Sequence, residues 1–145
     1  MKSVREKEEK MKSVREIEVR YSETDQMGVV YHSNYLVWME IGRTNFLKDV
    51  GFNMMDFEKN GYLFPVYSME IKFLNPARYG ESIRVETEIY KSTQIKTIYK
   101  QTILNDKNEE KVSALVTIVC VSKKNFKPVR IDKELKNLYE VYSNI

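Results

Sequence analysis

Four long extended segments, separated only by short polar turns and all C-terminal to a single amphipathic helix, constrain this chain more than any other feature. They run over residues 63–74, 82–91, 95–104 and 111–122. Turn signals punctuate them: Asn75-Pro76 with Tyr79-Gly80, then Lys91-Ser92-Thr93, then Asn105-Asp106-Lys107-Asn108. In the second segment Ile83, Val85, Thr87 and Ile89 alternate with Arg84, Glu86, Glu88 and Tyr90, the pattern of a strand with one face outward. A fifth strand is read upstream, over residues 15–21, where Ile17, Val19 and Tyr21 alternate with Glu16, Glu18 and Arg20. A curved antiparallel sheet is the simplest outcome.

The helix begins at Ser33 or Asn34, either of which could cap it. Tyr35, Trp38, Met39, Gly42 and Phe46 then recur at the 3.6-residue spacing, and the pattern ends before Gly51. Gly42 lies on the apolar stripe, where it costs about 1 kcal/mol against alanine, and close approach to another backbone would explain it. Residues 54–60 fit one or two helical turns. Residues 132–142 fit a peripheral helix capped by Asp132, with Leu135, Leu138 and Val141 on one face. One long helix and strands long enough to curl around it define an α+β domain, a five-stranded sheet wrapped around a central helix. Such a sheet leaves edges open, and pairing copies would cover them; a homodimer is expected, and a homotetramer beyond it.

With 145 residues there is material for one core, and Lys and Arg exceed Asp and Glu by only three, spread along the chain. Charge therefore does not imply nucleic acid. The longest apolar run, residues 114–121, is far short of the roughly 18 needed to span a bilayer. The acidic and basic N-terminus lacks a signal-peptide core, and the single cysteine, Cys120, forms no internal disulfide; a cytoplasmic location is expected. Met1-Lys2-Ser3-Val4-Arg5-Glu6 recurs word for word from Met11, too short a repeat to build a solenoid. Residues 1–10 are read as a disordered or artefactual extension and residues 11–145 as the single domain. One histidine and one cysteine cannot assemble a usual zinc site, and no dinucleotide or phosphate-loop motif is present, so neither metal nor cofactor is expected.

The chemistry concentrates in Thr24-Asp25-Gln26-Met27-Gly28-Val29-Val30-Tyr31-His32-Ser33-Asn34-Tyr35. A carboxylate leads through a glycine turn to a helix start, whose free amides and positive dipole end suit a developing oxyanion. That pairing can hydrolyse a thioester. A thiol leaving group, with a pKa of roughly 8 to 9 by analogy with cysteine, departs without a strong acid.

This block, with Tyr21-Ser22-Glu23 before it, Glu40 and Arg43 after it, and weaker echoes at Phe73-Leu74-Asn75-Pro76-Ala77 and Tyr79-Gly80-Glu81, resembles the hot-dog-fold thioesterases of the 4-hydroxybenzoyl-CoA thioesterase type. It is most similar to the bacterial branch associated with the Tol-Pal genes. The resemblance covers most of residues 14–130 and implies a hot-dog fold and an acyl-CoA thioesterase. It makes Asp25 the catalytic carboxylate, as nucleophile or as general base, and the His32 backbone amide the donor to the thioester carbonyl. Histidine at position 32, where the hydroxybenzoyl enzymes carry an aromatic residue, implies a short aliphatic acyl group. Coenzyme A then belongs to the substrate, and an acyl carrier protein thioester is an alternative carrier. Tyr21, Gly28, Tyr31 and Tyr35 are expected around the acyl group, with Lys91, Lys96, Lys123 and Lys124 as candidate ligands of the coenzyme's phosphates and Lys127 and Arg130 near them.

Plainer readings stand beside these. An aspartate before a glycine turn is by itself a turn residue, His32 could merely cap the helix, and a lone surface lysine is a solvated charge. Glu40, where other hot-dog thioesterases carry a catalytic glutamate, is expected to pair with Arg43 at i+3. Cys120 is read as core. A non-catalytic acyl-CoA or acyl-carrier-protein binding module is the alternative from another class, and a hot-dog dehydratase would need a histidine-acid pair placed differently.

Overall fold

A computed structural model of the protein describes residues 11–145; residues 1–10, and the extension read there, lie outside the described residues. Strand β1 (Lys12–Glu18) leads through a 3₁₀ turn at Tyr21–Glu23 into the long helix α1 (Ser33–Asp49). Helix α2 (Met54–Lys59), β2 (Tyr62–Leu63), β3 (Val66–Phe73), β4 (Ser82–Ser92), β5 (Lys96–Asn105), β6 (Glu110–Val119), β7 (Val121–Ser122), α3 (Ile131–Glu134) and α4 (Lys136–Ser143) follow. The main sheet has the order β1-β4-β5-β6-β3, antiparallel throughout, and β2 pairs with β7 apart from it.

The five-stranded antiparallel sheet is the one expected, with four local differences, the first being that the segment read as a single strand over residues 111–122 is interrupted at Cys120 into β6 and β7. The segment read as a single strand over residues 63–74 is divided at Pro65, which has no amide for a ladder; β2 joins β7 while β3 forms an edge of the main sheet. The first strand starts at Lys12 and ends at Glu18, leaving Tyr21 on the 3₁₀ turn with 77% of its surface exposed. The C-terminal helix is broken at Leu135, and Asp132 pairs with Arg130 instead of capping. Nor is it peripheral. Leu138 and Tyr142 are buried, and the Tyr142 ring sits edge-on to Phe46 and Tyr99, with a 2.7 Å hydrogen bond between the two tyrosine hydroxyls.

Helix α1 lies across β1, β4 and β5. Trp38, Met39 and Phe46 are completely or almost completely buried, facing a sheet whose Val85, Ile103, Val112 and Val116 are inaccessible; each large side chain contributes about 1.5–3 kcal/mol by leaving water. Gly42 is where helix and sheet meet most closely. A Cβ there would lie 2.8 Å from Thr87 Oγ1 and Val85 Cγ1 and 2.9 Å from Gln101 Nε2, so the close approach is to sheet side chains, not to a second backbone as expected. Gln101, fully buried, donates to the Met39 carbonyl at 2.8 Å and to Thr87 Oγ1 at 2.9 Å, and its oxygen accepts from Arg43 at 3.1 Å.

Candidate active site

The connection between β1 and α1 folds back on itself. The Tyr31 amide donates to the Glu23 carbonyl at 2.8 Å, Thr24 bridges Val30, and the Asp25 amide donates to the Val29 carbonyl at 2.9 Å. Gly28 closes the tip at φ +79, in the left-handed region, with its amide 3.0 Å from the Asp25 carbonyl. The space around it is empty, so backbone conformation and not crowding demands glycine. One Asp25 carboxylate oxygen accepts the Met27 amide at 2.8 Å, which fixes the side chain at the mouth of the loop.

At the other end of the loop, His32 takes the N-cap position of α1 with φ −57, and neither it nor Ser33 makes a side-chain capping bond. Asn34, read as a possible cap, reaches back to the Glu23 carbonyl at 2.9 Å. Among the described residues the His32 amide donates to no protein acceptor, which leaves an N–H at the positive end of a 17-residue helix for an incoming oxygen. The His32 ring lies 4.4 Å from the Tyr31 ring and 6.1 Å from Phe73. Asp25, His32, Tyr35 and Phe73 line one open depression of about 280 Å³, so the structure brings together the two catalytic candidates and one of the four substrate candidates near them. Gly28 and Tyr31 flank it, while Tyr21 turns away and packs edge-on against Tyr79.

The floor of the depression is held from the sheet. Tyr35 Oη accepts the Ala77 amide at 3.0 Å, raised in pKa by burial, and the Val30 amide donates to the Ala77 carbonyl at 2.8 Å. Lys111, 3% exposed, donates to the Pro76 carbonyl at 3.2 Å and sits between Glu81, at 3.1 Å, and Glu109. Burial alone would lower its pKa, but the two carboxylates outweigh it and hold the ammonium above its ordinary range. Lys111 and Val112 are consecutive buried residues beside a register shift, so an alternating pattern gives no sign of the lysine's role.

The four lysines expected to bind phosphates are elsewhere in the protomer. The site adjoins the Phe73–Val112 rung, whereas Lys96 pairs with Val119, seven residues and about 23 Å along β6. Lys91 pairs with Ile98 at that same far end, and the Lys123 amide bonds to the Gly61 carbonyl. Lys96 lies over the Tyr67 ring at 5.2 Å. The far end also holds a cavity of about 420 Å³ lined by Glu40, Arg43, Thr44, Tyr99 and Phe64. No ion pair joins Glu40 to Arg43, contrary to expectation; burial lowers the Arg43 pKa, and its hydrogen bond goes to Gln101. Cys120 is buried and burial pushes its thiol up to about 12, consistent with a core residue. No cluster of three or more candidate metal ligands occurs among the described residues, and no described helix is long and apolar enough to cross a membrane.

A long helix held in a curved antiparallel sheet, with a carboxylate and an open amide at its start, is the hot-dog architecture of thioester hydrolases. Residues 19–138 match the thioesterase-like superfamily, and the chain belongs to it. It is 46% identical over 130 residues to the putative acyl-CoA thioesterase YneP of Bacillus subtilis (strain 168), covering 90% of this chain and 94% of that one. The acyl-CoA thioester hydrolase YbgC of Escherichia coli O6:H1 is 30% identical, over 82% of this chain and 89% of its own. Among solved structures, the DHNA-CoA thioesterase of Staphylococcus aureus superimposes with a TM-score of 0.88 at 36% identity, covering 91% of this chain and 89% of that one.

Proposed function

We propose that this protein hydrolyses acyl-CoA thioesters to a free acid and coenzyme A, with Asp25 as nucleophile or general base and the His32 amide as oxyanion donor. The observation that carries the reading is the single depression lined by both Asp25 and His32, with that amide open. One preorganised donor to an oxyanion is commonly worth about 10² to 10³ in rate. The acyl-CoA names carried by the Bacillus and Escherichia relatives support the carrier. Asp25→Asn keeps the shape of the side chain and removes its charge; thiol release from acyl-CoA should fall by at least about 100-fold, and a wild-type rate would refute the assignment.

A short aliphatic acyl group is the first reading and an aromatic one the second. The second is favoured by the Tyr31, Tyr35 and Phe73 rings around His32 and by the DHNA-CoA in the name of the Staphylococcus relative. Acyl-CoAs of graded chain length assayed beside benzoyl- and hydroxynaphthoyl-CoA separate the two, and the same acyl groups on acyl carrier protein test the carrier.

Edge strand β3 exposes Val66, Tyr67 and Phe73, with Leu36 and Val37 of α1 also exposed, which supports a dimer formed across β3. Two copies joined antiparallel along β3 would set the Val66 end of one beside the Phe73 end of the other. The partner's far-end lysines would then approach this protomer's Asp25, reconciling their role as phosphate ligands with their distance inside one chain. Light scattering of the purified protein gives the copy number, two or four.

A further inference from the structure

Glu23 lies two residues before Asp25, yet neither the hydrolytic step nor the acyl pocket uses it. Its side chain is 6% exposed, unusual for a carboxylate outside an ion pair of equal burial; Arg20, its partner at 3.3 Å, is largely in solvent. Glu23 accepts five hydrogen bonds. Its carboxylate accepts the Arg20 amide at 2.8 Å, the Arg20 guanidinium at 3.3 Å and the Trp38 indole N–H at 3.0 Å. Its carbonyl accepts the Tyr31 amide at 2.8 Å and the Asn34 side-chain amide at 2.9 Å. Burial by itself would raise the carboxyl's pKa, but the Arg20 amide, the Trp38 indole and the Arg20 guanidinium outweigh it and hold the group below the usual carboxylate range.

These partners lie on both sides of the reaction centre. Arg20 belongs to the chain entering the loop, two residues beyond Glu23 is Asp25, Tyr31 and Asn34 bracket His32, and Trp38, on the second turn of α1, is anchored in the core at 1% exposed. We propose that Glu23 is a positioning residue: its ionised carboxylate locks the Asp25 loop to the start of α1, fixing the carboxylate against the His32 amide. The inference rests on the catalytic reading above, since it assigns Glu23 no contact with substrate. Misplacement of a reacting group by about 1 Å can lower a rate about 100-fold, so a loosened clamp acts on turnover more than on binding.

The test compares Glu23→Gln, Trp38→Phe, the double variant, Asp25→Asn and Tyr142→Phe. Glu23→Gln keeps the volume but places an amide donor against the Arg20 or Trp38 donor; Trp38→Phe removes the helix-side donor together with one ring of the buried indole, a loss of packing that the folded-protein correction and the Tyr142 control address. Tyr142→Phe breaks a buried hydrogen bond at the other end of the core and controls for lost stability. Thiol-release kinetics on the best acyl-CoA, referred to folded protein by circular dichroism, should show kcat falling about 10- to 100-fold in each Glu23 and Trp38 single variant, with KM within about threefold. The double variant should be no worse than the poorer single, because both break the same link. Tyr142→Phe should lower the Tm and leave kcat unchanged. A wild-type kcat in Glu23→Gln, an equal kcat loss in Tyr142→Phe, or full additivity of the two changes would each overturn the proposal. If Asp25→Asn loses activity while Glu23→Gln does not, only the positioning role fails; if Asp25→Asn retains the rate, the catalytic reading fails and the positioning role with it.

Discussion

At the end of the sheet carrying Asp25 and His32, short backbone segments from distant parts of the chain hold one another by hydrogen bonds: Val30 to Ala77, Ala77 to Tyr35, Pro76 to Lys111. At the opposite end rings do the holding, with Phe46, Tyr99 and Tyr142 edge to edge within 5.7–6.1 Å. Directional bonds fix loop atoms to a few tenths of an ångström and leave amides such as that of His32 aimed outward, whereas ring packing tolerates small slides. The end proposed for the chemistry is therefore the one whose loops are tied by directional bonds.

The comparison breaks most decisively at His32. Its φ of −57 already suits proline, so His32→Pro deletes the amide hydrogen without demanding a new φ there. Thiol release should fall about 10²- to 10³-fold, while His32→Ala, which keeps the amide, should stay within about tenfold of wild type. Equal losses in the two variants would place the effect in the imidazole. Between the two ends, Gly42→Ala should cost about 2–3 kcal/mol in urea denaturation, because the new methyl meets Val85 and Thr87 at 2.8 Å.

A smaller effect sharpens the contrast. Lys111→Met removes the cation from between two partly exposed carboxylates and should cost about 2 kcal/mol, with a larger loss of kcat than an equally destabilising change near Tyr142. The smallest effect is the acid response. Glu23, Glu81 and Glu86 are each held below their ordinary value of 4.5 by hydrogen bonds and cations that outweigh burial. Their contribution to stability is present above that ordinary value and disappears as pH falls through the lower folded ones. Thermal unfolding followed from pH 7 down to about 3 should show that loss, less steep in Glu23→Gln.

The two ends also differed in how well they could be read beforehand. Asp25, Gly28 and His32 are contiguous in sequence, so the glycine turn and helix start were legible, and so was the α1 stripe from Tyr35 to Phe46. Lys111 and Ala77 act through contacts between segments more than 30 residues apart, which no local period encodes. Pro65 divided a run of strand-like residues that alternation had joined, and Arg43 found Gln101, 58 positions away, rather than its helical neighbour Glu40. The far-end lysines were recognised by charge alone, which says nothing about the rung of the sheet on which they stand.

The missing side chain at position 42 has a consequence for altering selectivity. With α1 seated so low on β4 and β5 at Gly42, no added side chain fits between helix and sheet there, and an enlarged acyl group would gain room away from that contact, on the flank toward Phe73. Efforts to retune which acids are released belong at Phe73, where trimming a side chain that lines the depression widens it without lifting the helix from its bed.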